Sequence, residues 1–265
     1  MIKKVCLVFL ALVVVLLAAA GVAWKLNGER WQQEYAAFRK TGAPVLMYHA
    51  VGPEEGADWP RTLIMKPELF EAHLQYLKEQ GYTIVTVAEL AERLQQGKSV
   101  DKYVALSFDD GYKNNHSVVL PLLQKYDAKG SFFVINRDIG DELHMNEQEI
   151  KELIAAGMEL GSHTYSHNPL AAIDEKYLVW ETDTSRYWLK KKFDGYIVRT
   201  LAYPNGSYND RVIATAKKYG FYRALTGHVG VNTAATYQKA PFEMYRVTVA
   251  CLLYTSPSPR DLSTS

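Results

Sequence analysis

Between Pro44 and Val249 the chain alternates short apolar runs with stretches of helical periodicity, and that order constrains the fold more than any other feature. Pro44 to His49, Tyr82 to Val85, Tyr103 to Phe108, Gly130 to Ile135, Met158 to Gly161, Thr200 to Tyr203, Phe221 to Thr226 and Tyr245 to Val249 read as strands. Pro67 to Gln80 carries Leu69, Phe70, His73, Leu74 and Leu77 on one helical face and stops at Gly81. Thr86 is placed to cap a helix from Val87 to Gln96, and Asn146 one from Glu147 to Ala156. Further helices are expected from about His116 to Tyr126, from Asp174 to Lys192 and from Asp210 to Tyr219. Strands that alternate with helices pair in parallel through right-handed crossovers. About seven such units predict an α/β fold: a distorted or incomplete (β/α) barrel, with a doubly wound open sheet as the competing topology. In either, the chemistry belongs at the C-terminal ends of the strands.

The flanks carry different information. Lys3 and Lys4 precede an uninterrupted apolar run from Val5 to Trp24, long enough for a bilayer-spanning helix of about 20 residues. Residues 1–24 are therefore expected to be a signal anchor that holds the protein in the cell membrane, with the lysines cytoplasmic and the rest extracellular. A cleaved signal peptide is the alternative, with a cleavage site among Ala18 to Gly21, and would make the protein secreted. Residues 25–43 read as a polar juxtamembrane stalk, and residues 44–249 as one catalytic domain. Residues 250–265 have a Ser/Pro bias and no periodicity, and read as a non-native tail of the adapter read-through kind, with a natural tail as the alternative. A formal net charge of +1 provides no field for nucleic acid. Cys6 and Cys251 offer neither a disulfide framework nor a thiolate metal site.

Two short segments carry the chemistry. Leu106-Ser107-Phe108-Asp109-Asp110-Gly111 ends a predicted strand on adjacent carboxylates, and Gly111 permits a turn that lets both face one cavity. His163 and His167 are four apart, which on a helical turn puts both rings on one face. With Asp110 they would supply three ligands to a tetrahedral divalent ion and leave a fourth position for water. Asp109 would stand beside the ion, ionised and ready to accept a proton. Taken alone, Asp-Asp-Gly also reads as a solvated turn, and the histidines also read as surface residues. The Gly161-Ser162 before them and Asn168-Pro169-Leu170 after them favour a tight ligand loop.

Ser107-Phe108-Asp109-Asp110-Gly111, His163-Thr164-Tyr165-Ser166-His167 and Ala202-Tyr203-Pro204-Asn205-Gly206 resemble, in order and rough spacing, the motifs of the polysaccharide deacetylases, the NodB-homology carbohydrate esterases of family 4. The resemblance runs from about Pro44 to Val249. It implies a NodB-type barrel and metal-dependent removal of acetyl groups from N-acetylglucosamine units of a cell-envelope or extracellular polysaccharide. It also implies Asp109 as general base and Asp110, His163 and His167 as ligands of zinc, with cobalt or nickel as alternatives. Asn205, through its backbone N–H, and Tyr203 would serve the oxyanion and the substrate.

Two departures from the family pattern matter. Ala202 stands where many members have arginine, and this, with Pro44-Val45-Leu46-Met47-Tyr48-His49, is similar to the branch that acts on exported poly-N-acetylglucosamine. The late Leu-x-His segment that supplies a general acid is missing, so His49, at the end of the first strand, is the expected acid, with His228 the nearest substitute by sequence order. Trp59, Tyr112, Tyr165, Tyr203 and Tyr208 are candidates for stacking on sugar rings, with ordinary packing as the alternative for each. Competing functions are an O-acetyl xylan-type esterase and a non-catalytic glycan-binding wall protein.

Overall fold

The computed structural model describes residues 42–52 and 63–249. The expected anchor, the stalk up to residue 41, Trp59 and the tail from residue 250 lie outside the described residues. Among the described residues no helix is long and apolar enough to cross a membrane.

The strands are β1 Gly42–Ala43, β2 Val45–Tyr48, β3 Ala50–Val51, β4 Ile64–Met65, β5 Thr83–Val85, β6 Tyr103–Phe108, β7 Ser131–Val134, β8 Glu159–Ser162, β9 Thr200–Ala202, β10 Arg223–Val229, β11 Asn232–Thr233 and β12 Met244–Thr248. The α-helices are α1 Pro67–Glu79, α2 Val87–Gln95, α3 Leu120–Lys125, α4 Glu147–Ala155, α5 Glu175–Val179, α6 Ser185–Lys192, α7 Asp210–Lys218 and α8 Ala234–Lys239. Eight strands form one sheet in the order β2-β12-β10-β9-β8-β7-β6-β5, every pairing parallel. Val45 to Tyr48 of β2 also pair with Ala105 to Phe108 of β6, which closes a seven-strand barrel. This rules out the doubly wound sheet. β5 pairs with the first half of β6 and β7 with its end, so the two short strands share one edge of β6.

Local chemistry accounts for the element ends. Thr86 and Asn146 each complete a capping box, with Glu89 and Glu149 three residues on. The predicted helix from Asp174 to Lys192 forms as α5 and α6 joined by a π-helical turn, Trp180–Thr184. Trp180–Thr184 is the second of two π turns among the described residues; the first, Asn115–Val119, precedes α3. Such turns reset which residues a helix presents, and both abut the site described below.

Strand alternation divides the core in two. Val104, Leu106 and Phe108 of β6 pack in the cluster that contains the helix-borne residues Phe70, Leu74, Leu123, Ile150, Leu153 and Leu189. Ala105 joins a second cluster with Val45, Phe133, Ala202, Leu225 and Met244, one from each of several barrel strands, which fills the barrel interior. Tyr48, Phe108 and Phe132 stack at centroid separations of 5.3 and 4.8 Å on the helix side, with Phe70 edge-on to Phe108. Inside the barrel the fit leaves little room. A Cβ at Gly161 would lie 2.3 Å from the Phe133 ring. Gly161→Ala is expected to lower unfolding stability in urea by about 1–3 kcal/mol, and Phe133→Leu in the same background to recover part of the loss.

Candidate active site

The same alternation points Asp109, His163 and Arg246 into the barrel at its C-terminal mouth: Asp109 is in phase with Ala105 and Ser107, His163 with Glu159 and Gly161, Arg246 with Met244. All three are buried. Asp110, the next residue, should face outward. It reaches the same cavity because its φ is +72°, a left-handed conformation that aspartate tolerates. Gly111 follows at φ +82°, and a Cβ there would lie 2.9 Å from Val134 Cγ1, so only glycine completes this turn. Tyr112 hydrogen-bonds the Asp110 carboxylate and stacks on His144. Burial first, then the Asp110 charge, push the Tyr112 phenol well above its ordinary range, so the phenol remains a donor.

The histidine segment is not helical as expected. It leaves β8 as a loop in which Thr164 and His167 take φ of +69° and +62°. For a β-branched residue such as Thr164 this is costly, and it is held by local bonds. Thr164 N–H donates to Ser162 Oγ, its carbonyl accepts from Asn136 N, and its Oγ1 accepts from His167 N. The two left-handed residues fold His167 back over His163, and the rings meet edge-to-face at 4.7 Å. The two rings are brought together by left-handed backbone and not by helical spacing.

The three expected ligands converge. His163 Nε2 and His167 Nε2 each lie 3.5 Å from Asp110 Oδ1, and the three donor atoms all lie within 4.8 Å of one another. A tetrahedral ion with bonds of about 2.1 Å sets its ligand atoms about 3.4 Å apart, so these residues can hold one. The donor chemistry fits as well. His163 Nδ1–H donates to the Ala202 carbonyl at 2.8 Å, which fixes the tautomer and leaves Nε2 a lone pair. Burial lowers the His163 pKa against the pull of Asp109 and Asp110, so the ring is neutral, as a ligand must be. Nitrogen and oxygen donors of this kind suit zinc, cobalt or nickel.

Asp109 stands outside this set. Its two oxygens accept from Arg246 Nη1 at 2.8 and 2.7 Å, and Arg246 Nε–H donates to the Thr226 carbonyl at 2.8 Å. Burial would raise the Asp109 pKa. The Arg246 guanidinium, through its charge and its hydrogen bonds, outweighs it and holds the carboxyl below its usual range. His49 is half-buried near Asp109, and the amide of Asn115, from the first π turn, donates to its backbone carbonyl at 2.9 Å. Asn205 is exposed at the mouth, in a 3-10 turn with φ +54°.

Tyr203 is placed differently from the expectation. It follows Leu201 on the helix side of β9, is fully buried, donates to the Phe242 carbonyl at 3.2 Å and stacks on Tyr208 at 4.9 Å. Its side chain packs in the core on the helix side. Tyr208 donates to Glu243, and His228 meets its ring edge-on, in place of a turn toward the carboxylates.

Two buried residues were missed in the sequence. Arg246 had a signal: a charge inside an apolar strand implies a buried counter-charge. Glu181, from the second π turn, accepts from Ser166 N at 2.8 Å, from Ser166 Oγ and from Asn168 Nδ2 at 2.9 Å, and so fixes both neighbours of His167. Nothing in a helical stretch of mixed charge marked it out.

A closed parallel barrel with carboxylates and histidines gathered at the C-terminal mouth of its strands has the layout of a barrel enzyme. Residues 96–224 match the family model described as Polysaccharide deacetylase. The chain is 31% identical over 211 residues to the polysaccharide deacetylase-type protein YxkH of Bacillus subtilis strain 168, which covers 78% of this chain and 71% of that one. It is 28% identical over 165 residues to the poly-beta-1,6-N-acetyl-D-glucosamine N-deacetylase of Staphylococcus aureus strain N315, covering 57% of each. The structure of the Streptococcus pyogenes deacetylase PplD in complex with acetate superposes with a TM-score of 0.69 at 29% identity, covering 82% of this chain and all of that one. The chain belongs to the polysaccharide deacetylase family.

Proposed function

We propose that the protein is a divalent-metal-dependent N-deacetylase acting on N-acetylglucosamine units of an exported polysaccharide, with poly-β-1,6-N-acetylglucosamine the first substrate to test. The observation that carries the reading is the pairing of a three-residue donor set, Asp110, His163 and His167, with an unligated aspartate locked on Arg246. The similarity to the staphylococcal enzyme supports the choice of polymer.

Asp110, His163 and His167 would hold the ion, which when bound would supply a Lewis acid for the acetamide carbonyl and acidify water. Asp109 accepts the proton that water loses, and its low pKa keeps it ionised for that role. Arg246 keeps the carboxylate aimed and charged. His49 would return a proton to the departing amine nitrogen, and the backbone N–H of Asn205 would be the donor to the oxyanion. Residues 1–24, with Lys3 and Lys4 ahead of the apolar run, anchor the protein so that the barrel meets its polymer outside the cell.

Acetate release from poly-β-1,6-N-acetylglucosamine, peptidoglycan and chitin oligomers tests this reading. Release from the first polymer is expected to be fastest, to fall to background after chelation and to return on addition of zinc, cobalt or nickel. Release untouched by exhaustive chelation would rule out the metal.

A further inference from the structure

The loop that carries His167 also walls a second cavity, of about 340 Å³, formed by Tyr165, Tyr177 and Trp180 with Asn168 and Lys176 on its polar side. Tyr165 and Trp180 meet edge-to-face at 5.3 Å, and Tyr177 and Trp180 lie three apart on one face of the same helical stretch. Both are costly to expose, yet Tyr177 is 60% and Trp180 50% accessible. Scattered exposed aromatics need no explanation, but three that line one cavity beside a catalytic mouth do.

We propose that this cavity is a subsite for a hexosamine ring of the polysaccharide, away from the acetamide being cleaved; the proposal rests on the function given above. Three features select that occupant. A pyranose has an apolar C–H face that stacks on flat rings and a rim of hydroxyls that needs polar partners, and the cavity lining supplies both. The volume sits at the small end of ligand sites and suits one sugar ring. The position adjoins the ligand loop: Tyr165 is two residues from His167, a chain reach of about 7 Å, and Ser166 and Asn168, the two neighbours of His167, line the cavity.

The second π turn links the two sites. It presents Trp180 to the cavity and the next residue, Glu181, to the His167 loop. A sugar held on Trp180 therefore rests on the element that fixes the ligand loop, which sets the register of the polymer relative to the metal centre.

The test compares a pentamer with a dimer of β-1,6-linked N-acetylglucosamine, using the full chain. In an Asp109→Asn background, where turnover is suppressed, calorimetric titration should show Trp180→Ala binding the pentamer about tenfold more weakly and the dimer unchanged, with Trp180→Phe near the parent. In the active background, Trp180→Ala and Tyr177→Ala should raise KM for the pentamer about tenfold, leave kcat alone and leave dimer turnover unaffected. Pentamer affinity within twofold of the parent for both variants would overturn the subsite, as would equal losses on dimer and pentamer. Failure of the proposed function itself would look different: no acetate from any glycan by the unaltered protein, with the binding comparison still deciding the cavity's role.

Discussion

Asp109→Asn is expected to lower kcat for deacetylation by about 10²- to 10⁴-fold while divalent-ion affinity stays close to that of the unaltered protein. The two readouts separate because Asp109 is buried on Arg246 and makes no part of the Asp110, His163 and His167 donor set. Asparagine keeps the shape and an acceptor for Arg246 but cannot take a proton at neutral pH. Asp110→Ala and His163→Ala should behave differently, losing the ion and the activity together. The comparison is made by metal content after dialysis alongside single-turnover kinetics. Equal metal loss in Asp109→Asn and Asp110→Ala would mean that Asp109 is a ligand and that the assignment of a free base is wrong.

The second large effect is on stability. Arg246→Leu leaves the Asp109 carboxylate buried with its principal counter-charge gone, and breaking a buried pair from one side costs about 3–5 kcal/mol. For a domain of this size that is a fall in Tm of about 10 °C. Activity should fall as well, because the base is no longer aimed. The diagnostic result is the cycle: Arg246→Leu combined with Asp109→Asn should be more stable than Arg246→Leu alone, since the stranded charge is removed with its partner. Additive losses in the double variant would show that Arg246 acts through packing and not through the carboxylate.

Much of this fold was readable from local chemistry. The run from Tyr103 to Phe108 is a strand in the structure with the same ends, and Thr86 and Asn146 cap where their side chains predicted. These features depend on neighbours in sequence. Closure depends on the pairing of Val45 to Tyr48 with Ala105 to Phe108, sixty residues apart, and no local signal announces it. The short pairs β1 with β11 and β3 with β4, and helix α8, escaped because two-residue bridges and six-residue helices carry too little periodicity to detect.

The site was legible by composition and only partly by geometry. Asp110, His163 and His167 were named from residue type and order, yet they meet through left-handed residues at 110, 164 and 167 that periodicity arguments do not foresee. Tyr203 could have been placed correctly: alternation along Thr200 to Ala202 puts Ala202 inside and its neighbours on the helix side. The same rule applied to Met244 and Arg246 would have sent the arginine into the barrel. Its carboxylate partner, at the end of β6 on the far edge of the intervening β2, emerges only from the closed topology.

The central claim is that Asp110, His163 and His167 share one divalent ion, with Asp109 beside it. Anomalous diffraction at the zinc edge, on crystals of the protein loaded with one equivalent of zinc, tests it most directly. The account predicts a single peak within about 2.0–2.2 Å of Asp110 Oδ1 and the two histidine Nε2 atoms, with neither Asp109 oxygen bonded to it. A zinc peak elsewhere in the molecule, or one ligated by Asp109 in place of either histidine, would contradict it.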